Sequence, residues 1–239
     1  TGKTTLTFNL AHLWAGEGKK VLAVDFDPQG NLTFAFTPPE ALPEGAETRA
    51  LFSRKAPKPF PVSENLWLLG ADHRLAGWDM RGSSSDLLLP SQTLSQFPFD
   101  LILLDTPTGW RPLTRAALFA ADYLVIPVDP SPFAIAGIVS LVENLVAFSG
   151  KEGGGVQGFQ ILGAVVNMAE EHTRVTQRVI AAVRQLLGEE RFLGMLSKSV
   201  RVKETVLERR PLHLLAPKTK WDEQIRAIAK GIERGMRRR

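Results

Sequence analysis

The first five residues, Thr1-Gly2-Lys3-Thr4-Thr5, have the residue types of the second half of a phosphate-binding loop. In such a loop, backbone N–H groups and a lysine contact the phosphates of a nucleotide, and the hydroxyl after the lysine binds Mg²⁺. The glycine expected five residues before Lys3 would fall ahead of the first residue. Because Gly-Lys-Thr also occurs by chance in a loop that precedes a helix, a nucleotide site requires further matching residues.

Two acidic stretches follow short apolar runs further along the chain. Asp25 and Asp27 belong to the stretch Asp25–Asn31, and Asp105 ends the run Asp100–Leu104. Buried parallel strands bring such residues to one edge of a sheet. Phosphoryl transfer needs a lysine, a Mg²⁺ ligand, and carboxylates that hold the metal or position a water molecule. The alternative role for Asp105 is to cap the segment that follows it.

The elements that must position these residues alternate between strands and helices. Strands are predicted at Lys20–Val24, Leu66–Leu69, Asp100–Asp105, Tyr123–Val128, Ile161–Val166 and Phe192–Leu196, and helices at Thr4–Ala15, Leu87–Phe97, Thr114–Ala121, Ala134–Phe148, Thr173–Leu187 and Trp221–Met236. This alternation predicts an α/β fold with a mostly parallel sheet and helices on both faces.

We predict one domain over residues 1–239, with two regions of distinct composition. Residues 37–63 are rich in proline and predict a long surface excursion with short helical turns at most. Residues 1–170 carry 12 Lys and Arg against 17 Asp and Glu, whereas residues 171–239 carry 17 against 8, a net charge of +9. The basic C-terminal part therefore predicts a polyanionic partner, either nucleic acid or an anionic membrane surface.

The composition excludes several classes of protein. With 239 residues, 44% of them hydrophobic, the chain can form a sizeable core. Because it contains no cysteine, disulfides, Cys-ligated zinc, iron–sulfur clusters and thiol nucleophiles are excluded. There is no apolar run of the length that spans a membrane and no pattern of a secretion signal. These features predict a cytoplasmic protein.

Four motifs, taken in order, resemble the ParA/MinD group of ATPases with a deviant Walker motif. They are Gly2–Thr5, Val24–Asn31 with its Asp-Phe-Asp-Pro-Gln-Gly-Asn sequence, Leu103–Pro107 and Val125–Val128. The resemblance runs through almost the whole chain and is closest to the ParA-type, Soj-like partition proteins. It implies the three-layer α/β/α fold of P-loop NTPases, with the first strand of the sheet before residue 1. It also implies an ATPase whose dimer sandwiches two ATP molecules and whose hydrolysis switches the protein between bound and free states.

The resemblance also implies the contacts of the phosphate loop. Lys3 would contact the β and γ phosphates, Thr4 would ligate Mg²⁺, and Gly2 and Thr5 would contribute backbone or hydroxyl contacts to phosphate. The family's signature lysine, which reaches the partner's nucleotide across the dimer, would fall before Thr1. A polypeptide of only these residues is therefore expected to bind ATP poorly and to be inactive.

Four further residues match family positions around the nucleotide. Asp27 would orient or polarise the attacking water, Asp25 would support the site, and Asp105 would hold Mg²⁺ through a water molecule. Asn167 matches the position that reads the adenine edge, although a turn or cap residue is the ordinary alternative. The family's Pro-Arg-Asn segment is replaced here by 197–199, Ser-Lys-Ser, which puts its contacts in doubt.

The basic C-terminal part predicts the partner. Arg174, Arg178, Lys198, Arg201 and Lys203 are the candidate DNA-binding residues, because clustered basic side chains attract phosphates without sequence preference. A solvated surface is the alternative for any one of them. The resemblance further implies a homodimer in the ATP state, association with the nucleoid, and a ParB-type centromere-binding protein that stimulates hydrolysis.

Two other functions are weighed against DNA partition. The apolar stripe of the helix Trp221–Met236, flanked by basic residues, also fits the membrane-surface helix of a MinD-like positioning factor. We prefer packing on the sheet, because this fold needs a helix there, and we expect no membrane partner. ATP-dependent ligases and amidotransferase synthetases share the fold, but the sequence has no additional substrate-site motif.

Overall fold

The computed structural model describes residues 2–53, 56–81, 86–151 and 158–237. Within it the chain divides into two compact units. We name them the N-terminal unit, Lys3–Ala121 with Arg201–Leu215, and the C-terminal unit, Thr1–Gly2 with Asp122–Val200 and Ala216–Arg239. The organisation as one domain stays a prediction. The glycine and serine stretches predicted to interrupt the chain at 82–85 and 153–155 lie outside the described residues.

The N-terminal unit contains a four-stranded sheet in the order β2-β3-β1-β4. Its strands are β1 Val21–Asp25, β2 Phe60–Ser63, β3 Leu66–Leu69 and β4 Leu101–Asp105. Its helices are α1 Lys3–Gly16, α2 Asn31–Phe36, α3 Ala76–Arg81, α4 Leu89–Leu94 and α5 Pro112–Ala120, followed in the later segment by most of α8, Val200–Leu207, and by α9, Leu212–Leu215. Short 3₁₀ turns occur at Pro39–Ala41, Thr48–Phe52, His73–Leu75 and Asp86–Leu88.

Strand β1 lies at the centre of the candidate site. It is fully buried and pairs in parallel with both β3 and β4, in a register that places Asp25 opposite Asp105. Helix α1 packs against this sheet through Leu6, Leu10, Leu13 and Trp14, all buried. These apolar residues recur at helical spacing, as the sequence predicts, but α1 is buried around most of its circumference, because four further residues are buried as well, Phe8, Asn9, Ala11 and Ala15.

The C-terminal unit contains a three-stranded parallel sheet in the order β5-β6-β7. Its strands are β5 Tyr123–Val128, β6 Gln160–Ala169 and β7 Phe192–Ser197, and its helices are α6 Ala134–Lys151, α7 Arg174–Leu187 and α10 Lys220–Met236, with a 3₁₀ turn at Glu189–Arg191. Helix α7 packs on β6 and β7, and α10 packs on the same two strands. No helix among the described ranges is both long and apolar enough to cross a bilayer.

The α/β class, the mostly parallel strand pairing and the flanking helices are confirmed. The structure corrects three local predictions. The proline-rich excursion includes a strand, β2, which pairs antiparallel with β3 at the edge of the sheet, where Pro61 is tolerated because an edge strand needs fewer ladder hydrogen bonds. Helices α2, α3, α8 and α9 were not predicted. The helix predicted at Leu87–Phe97 is a 3₁₀ turn followed by the six-residue α4.

The spacing of Val175, Val179, Val183 and Leu186 predicts that these four residues form the core stripe of α7, and this prediction is partly wrong. Val179 and Val183 are buried, but Val175 is 39% and Leu186 is 46% exposed. The buried face instead includes Thr176, Ile180 and Leu187. Thr176 is acceptable inside because its hydroxyl receives a hydrogen bond of 2.9 Å from the hydroxyl of the cap residue Thr173, so the periodicity of valine and leucine alone misplaces the stripe by about one residue.

Candidate functional site

The N-terminus of α1 has the backbone of a phosphate-binding loop feeding a helix. Gly2 has a φ of 73°, a left-handed conformation that favours glycine, and α1 begins at the next residue, Lys3. The first four N–H groups of a helix have no partner within the helix, so this end can donate hydrogen bonds to phosphate oxygens. Lys3, Thr4 and Thr5 all lie in this first turn and are partly accessible.

Asp105 meets this turn from the carboxyl end of β4. Its Oδ2 accepts a hydrogen bond of 2.7 Å from the hydroxyl of Thr4. Its Oδ1 is buried and makes no hydrogen bond to a described residue. Burial and the charge of Asp27 raise the pKa of Asp105 to about 6, although the Thr4 hydrogen bond and the charge of Lys3 act to lower it.

These two residues fit a bound Mg²⁺. A buried carboxylate oxygen without a partner is costly unless a cation, a water molecule or a proton satisfies it. Hydroxyl, carboxylate and water oxygens are the donors that Mg²⁺ takes, and the ion commonly keeps several waters and binds nucleotide phosphates. No cluster of three or more His, Cys, Asp or Glu side chains able to hold a metal occurs among the described residues. The expected Mg²⁺ site therefore depends on phosphate and water in addition to Thr4 and Asp105.

Asp25 is fully buried, and both of its carboxylate oxygens are used within the protein. Oδ1 accepts from the backbone N–H of Asp27 at 3.1 Å, and Oδ2 accepts from the N–H and hydroxyl of Thr33, each at 2.8 Å. Burial, followed by the charge of Asp105, raises its pKa to about 7. Asp25 thus fixes both ends of the loop that carries Asp27, and its supporting role at the nucleotide stays a prediction.

Thr33 is a residue that sequence reasoning missed. It is buried in α2, and its hydroxyl donates to Asp25 while accepting from the backbone N–H of Ala71 at 2.8 Å. The signal available in the sequence was the helical spacing of Leu32, Ala35 and Phe36, which are buried in the same short helix. These residues come directly after the Asp27–Gly30 loop, so a helix predicted there would have placed Thr33 in its first turn, next to the loop.

Asp27 stays partly accessible beside the buried pair of carboxyl groups. Its Oδ1 accepts from the backbone N–H of Gln29 at 3.0 Å, and its carbonyl accepts from Gly30 at 2.9 Å, which closes a tight turn. Gly30 has a φ of 67° and forms the N-cap of α2. The structure therefore brings Lys3, Thr4, Asp27 and Asp105 into one electrostatic cluster, although none of their chemical roles is tested by this arrangement.

In the C-terminal unit, Asn167 contacts Gly2. A Cβ atom built on Gly2 would lie 1.9 Å from Nδ2 of Asn167, so only glycine fits against this amide. Asn167 is 3% exposed, and its Oδ1 accepts from the backbone N–H of Met168 at 3.0 Å. The proposed adenine contact of Asn167 stays a prediction, but the residue does touch the phosphate loop.

The Ser-Lys-Ser segment that replaces the family's Pro-Arg-Asn is tied to α10. The N–H of Ser197 donates to Gln224 at 3.0 Å, and Gln224 donates back to the Ser197 hydroxyl at 2.9 Å. The same hydroxyl donates to Glu171, which also accepts from Lys220 at 3.2 Å. Ser197 is therefore engaged in holding the sheet to its last helix, and it is 3% exposed.

The five candidate DNA-binding residues are all exposed. Arg174 and Arg178 lie four residues apart on α7, and Lys198 forms an ion pair with Glu170. Arg201 and Lys203 belong to α8 in the N-terminal unit, where Arg201 lies 3.3 Å from Glu204. Exposed ion pairs of this kind contribute little to stability, so their cations can be exchanged for phosphate contacts.

The apolar stripe of α10 packs on the sheet, as preferred from the sequence. Ile225, Ile228 and Ile232 are at most 5% exposed, and the helix contacts β6 and β7. The hydroxyl of Tyr123 donates to the carbonyl of Met236 at 3.3 Å, which holds the last turn to β5. The apolar stripe of α10 is therefore part of the protein core.

Comparison with known proteins agrees with this geometry. A family model described as an AAA domain matches residues 1–152. The chain is 32% identical over 214 residues to the chromosome-partitioning ATPase Soj of Thermus thermophilus, covering 85% of this chain and 79% of that protein. Among solved structures, a complex of Cyanothece McdA with ATP gives a TM-score of 0.83 at 22% identity, with 98% and 91% of the two chains covered. MinD from Pyrococcus horikoshii complexed with Mg-ADP gives a TM-score of 0.74 at 19% identity, with 97% and 90% covered.

Proposed function

Because this chain belongs to the ParA/MinD family of ATPases, we propose that it is a Soj-like partition ATPase. In this proposal it binds ATP with Mg²⁺, dimerises on ATP, binds DNA without sequence preference, and is switched off by hydrolysis. The observation that carries the nucleotide half is the Thr4 to Asp105 hydrogen bond at the start of α1, beside a buried carboxylate oxygen that has no partner among the residues that the structure describes.

The residues of the α1 N-terminus bind and orient the nucleotide in this mechanism. The helix N–H groups and the Lys3 ammonium neutralise the β and γ phosphates, and Thr5 adds a hydroxyl contact. Thr4 and Asp105 would hold Mg²⁺, Thr4 as a ligand and Asp105 through a water molecule. When bound, the ion neutralises charge that develops on the phosphate oxygens. Asn167, which touches Gly2, reads the edge of adenine.

Asp27 positions the attacking water in this mechanism. Its carboxylate lies on a turn that Asp25 fixes, and it is partly accessible whereas Asp25 and Asp105 are buried. Both oxygens of Asp25 accept protein hydrogen bonds, and Asp105 is assigned to Mg²⁺ in this proposal, so Asp27 is the carboxylate that is left to position the attacking water. A carboxylate that only positions the water accelerates an in-line displacement mainly by orientation. Hydrolysis is therefore slow in this proposal until a ParB-type partner completes the site.

The DNA half of the proposal is supported by charge. Residues 171–239 carry a net charge of +9, and Arg174 and Arg178 are exposed on one helix. Lysines and arginines that replace counterions on DNA give binding whose logarithm falls linearly with the logarithm of salt concentration. Such binding lets an ATP-bound dimer occupy nucleoid DNA in the cytoplasm and leave it after hydrolysis.

Retention on random-sequence DNA at low salt tests this proposal with full-length protein. We expect retention with ATP and Mg²⁺ and release with ADP. In the double variant Arg174→Ala/Arg178→Ala, the slope of log affinity against log salt should decrease by about 2, because two phosphate contacts are lost. Arg184→Ala is the control on the same helix, since the Arg184 guanidinium lies 4.8 Å from the centroid of the Phe192 ring and is held against the protein. Absence of ATP-dependent retention by the wild-type protein would remove DNA binding from the proposal.

The membrane alternative has weaker support. A lipid-binding helix needs its apolar face available to the bilayer. The apolar residues of α10 are buried against β6 and β7 instead. Co-sedimentation with anionic liposomes that is lost when residues 221–239 are deleted would favour the MinD-like function over partition.

A further inference from the structure

One segment of the chain leaves the C-terminal unit, joins the N-terminal unit and returns. Arg201–Leu215 clusters with Lys3–Ala121, although Val200 before it and Ala216 after it belong to the C-terminal unit. We call this segment the strap. It includes nearly all of α8 and the whole of α9, and it carries four exposed basic residues, which are Arg201, Lys203, Arg209 and Arg210. The strap thus presents basic side chains while it is attached to the unit that contains α1.

Asn9 attaches the strap to the nucleotide-binding helix. It lies on α1 and is 1% exposed. Its Nδ2 donates to the carbonyl of Thr5 at 2.8 Å and to the hydroxyl of Thr205 at 3.4 Å. Its Oδ1 accepts from the backbone N–H of Leu212 at 2.7 Å. The buried amide of Asn9 therefore contacts both helices of the strap, α8 at Thr205 and α9 at Leu212.

Arg209 attaches the strap to the other half of the candidate site. Its Nε donates to the carbonyl of Phe34 at 2.9 Å, and its guanidinium lies 4.9 Å from the centroid of the Phe34 ring. Phe34 is in α2, the helix that follows the Asp27 turn and begins after its N-cap, Gly30. The strap is consequently joined to both segments that would respond to a bound nucleotide.

We infer that the strap couples nucleotide binding to the basic surface, with Asn9 as the positioning residue. Asn9 is five residues from Thr4 on one helix, a rise of about 8 Å. A helix is stiff over this length, so a shift of its first turn towards phosphate moves Asn9 as well. The buried amide keeps its three hydrogen bonds only if Thr205 and Leu212 move with it, because an unsatisfied buried group is costly. The position of the four basic side chains of the strap then depends on whether nucleotide is bound.

This inference rests on the proposed function, because DNA is the ligand that the basic residues of the strap would contact. Coupling requires that the strap differ between nucleotide states, which amide hydrogen exchange measures without DNA. The probe is ATPγS with Mg²⁺, and exchange is followed in peptides that cover residues 201–215. In the wild-type protein we expect the nucleotide to slow exchange in the strap by about tenfold, within the usual range of coupling between sites.

Asn9→Ala and Thr205→Val test the connection. Both variants should still bind a fluorescent ATP analogue, but the nucleotide should no longer slow exchange in the strap. The matched control is Thr176→Val, since Thr176 is also a fully buried threonine but lies on α7 in the C-terminal unit. This control should keep the wild-type response. If Asn9→Ala does not fold, Thr205→Val decides the question, because it removes a single hydroxyl.

Two results would overturn the inference. One is a wild-type strap whose exchange is the same with and without saturating nucleotide, and the other is an Asn9→Ala or Thr205→Val strap that responds like wild type. The DNA retention assay, run in parallel, separates this inference from the proposed function. A strap that responds in a protein that does not retain DNA contradicts the DNA proposal and supports the coupling. Retention of DNA with an unresponsive strap supports the DNA proposal and contradicts the coupling.

Discussion

The charged form of Asp105 should destabilise the protein when nucleotide and Mg²⁺ are absent. The side chain is 1% exposed, its Oδ1 has no hydrogen bond to a described residue, and buried Asp25 stands opposite it across the two strands. A carboxyl group whose pKa rises from 3.8 to about 6 loses about 3 kcal/mol of folding free energy at neutral pH. We therefore expect Asp105→Asn to stabilise the nucleotide-free protein.

The size and the pH dependence of this effect follow from the same pKa. The pKa in the folded protein lies above that of the unfolded chain, so the penalty is absent below pH 3.8 and is complete once the pH has risen past about 6. An amide oxygen can still accept the Thr4 hydrogen bond, but the amide nitrogen takes the place of Oδ1 and becomes a buried donor, which offsets about 1–2 kcal/mol of the gain. At pH 7.5 the remaining gain of about 1–2 kcal/mol should raise the unfolding midpoint by about 2–8 °C, and near pH 4, where the charge penalty is small, the variant should melt at or below the wild-type temperature.

Thermal unfolding in EDTA, from pH 4 to pH 8, measures the difference. Asp100→Asn is the control, because Asp100 lies at the other end of the same strand, is exposed, and should change stability by about 0.5 kcal/mol or less. With ATP and Mg²⁺ the wild-type protein should gain more stability than the variant, because the variant lacks the carboxylate at position 105. A variant that melts below wild type at pH 7.5 without nucleotide would refute the reasoning.

Two further predictions concern the candidate site and the core. Lys3→Ala should abolish binding of a fluorescent ATP analogue, whereas Asp27→Ala should bind it and hydrolyse ATP slowly; equal loss of both activities in the two variants would mean that the roles are misassigned. His12, packed between Phe8 and Phe36, has a pKa lowered from 6.5 to about 4, first by burial and then by the charge of His213. Because its folded pKa is depressed, it costs stability as the pH falls from 6.5 to about 4, by at most about 3 kcal/mol. His12→Gln should remove this contribution in urea titrations compared across that range, and an unchanged difference from wild type would contradict it.

Much of the fold was predictable because its signals are local. Apolar runs ending in acidic residues predicted β1 and β4 to within one residue, and β3 and β5 were predicted with the bounds that the structure has. The helical spacing of Leu6, Leu10, Leu13 and Trp14 predicted the helix α1, although the structure also buries residues outside that stripe. Parallel pairing then follows from the alternation of strands and helices, which brings the ends of β1 and β4 to one edge.

The missed elements depend on contacts between distant residues. The edge strand β2 has proline in its sequence and is stabilised by pairing with β3, and the short α2 depends on the bond between Thr33 and Asp25. Elements of six residues or fewer gain little from intrinsic propensity, so tertiary packing decides whether they form. The same reason explains why the stripe of α7 was displaced: a buried threonine is satisfied by a cap that periodicity does not reveal.

The sequence by itself determined the chemistry of this protein: a lysine and hydroxyls at the start of a helix, with carboxylates after two buried strands. Residue types and spacing suffice for this, since they fix which groups a parallel sheet brings to its edge. Only the tertiary structure decided how each group is used. It left one oxygen of Asp105 without a partner in the described part of the chain, engaged both oxygens of Asp25, and attached the strap to α1 through Asn9. Hydrogen bonds between residues up to 203 positions apart have no local pattern, so the packed fold alone determines them.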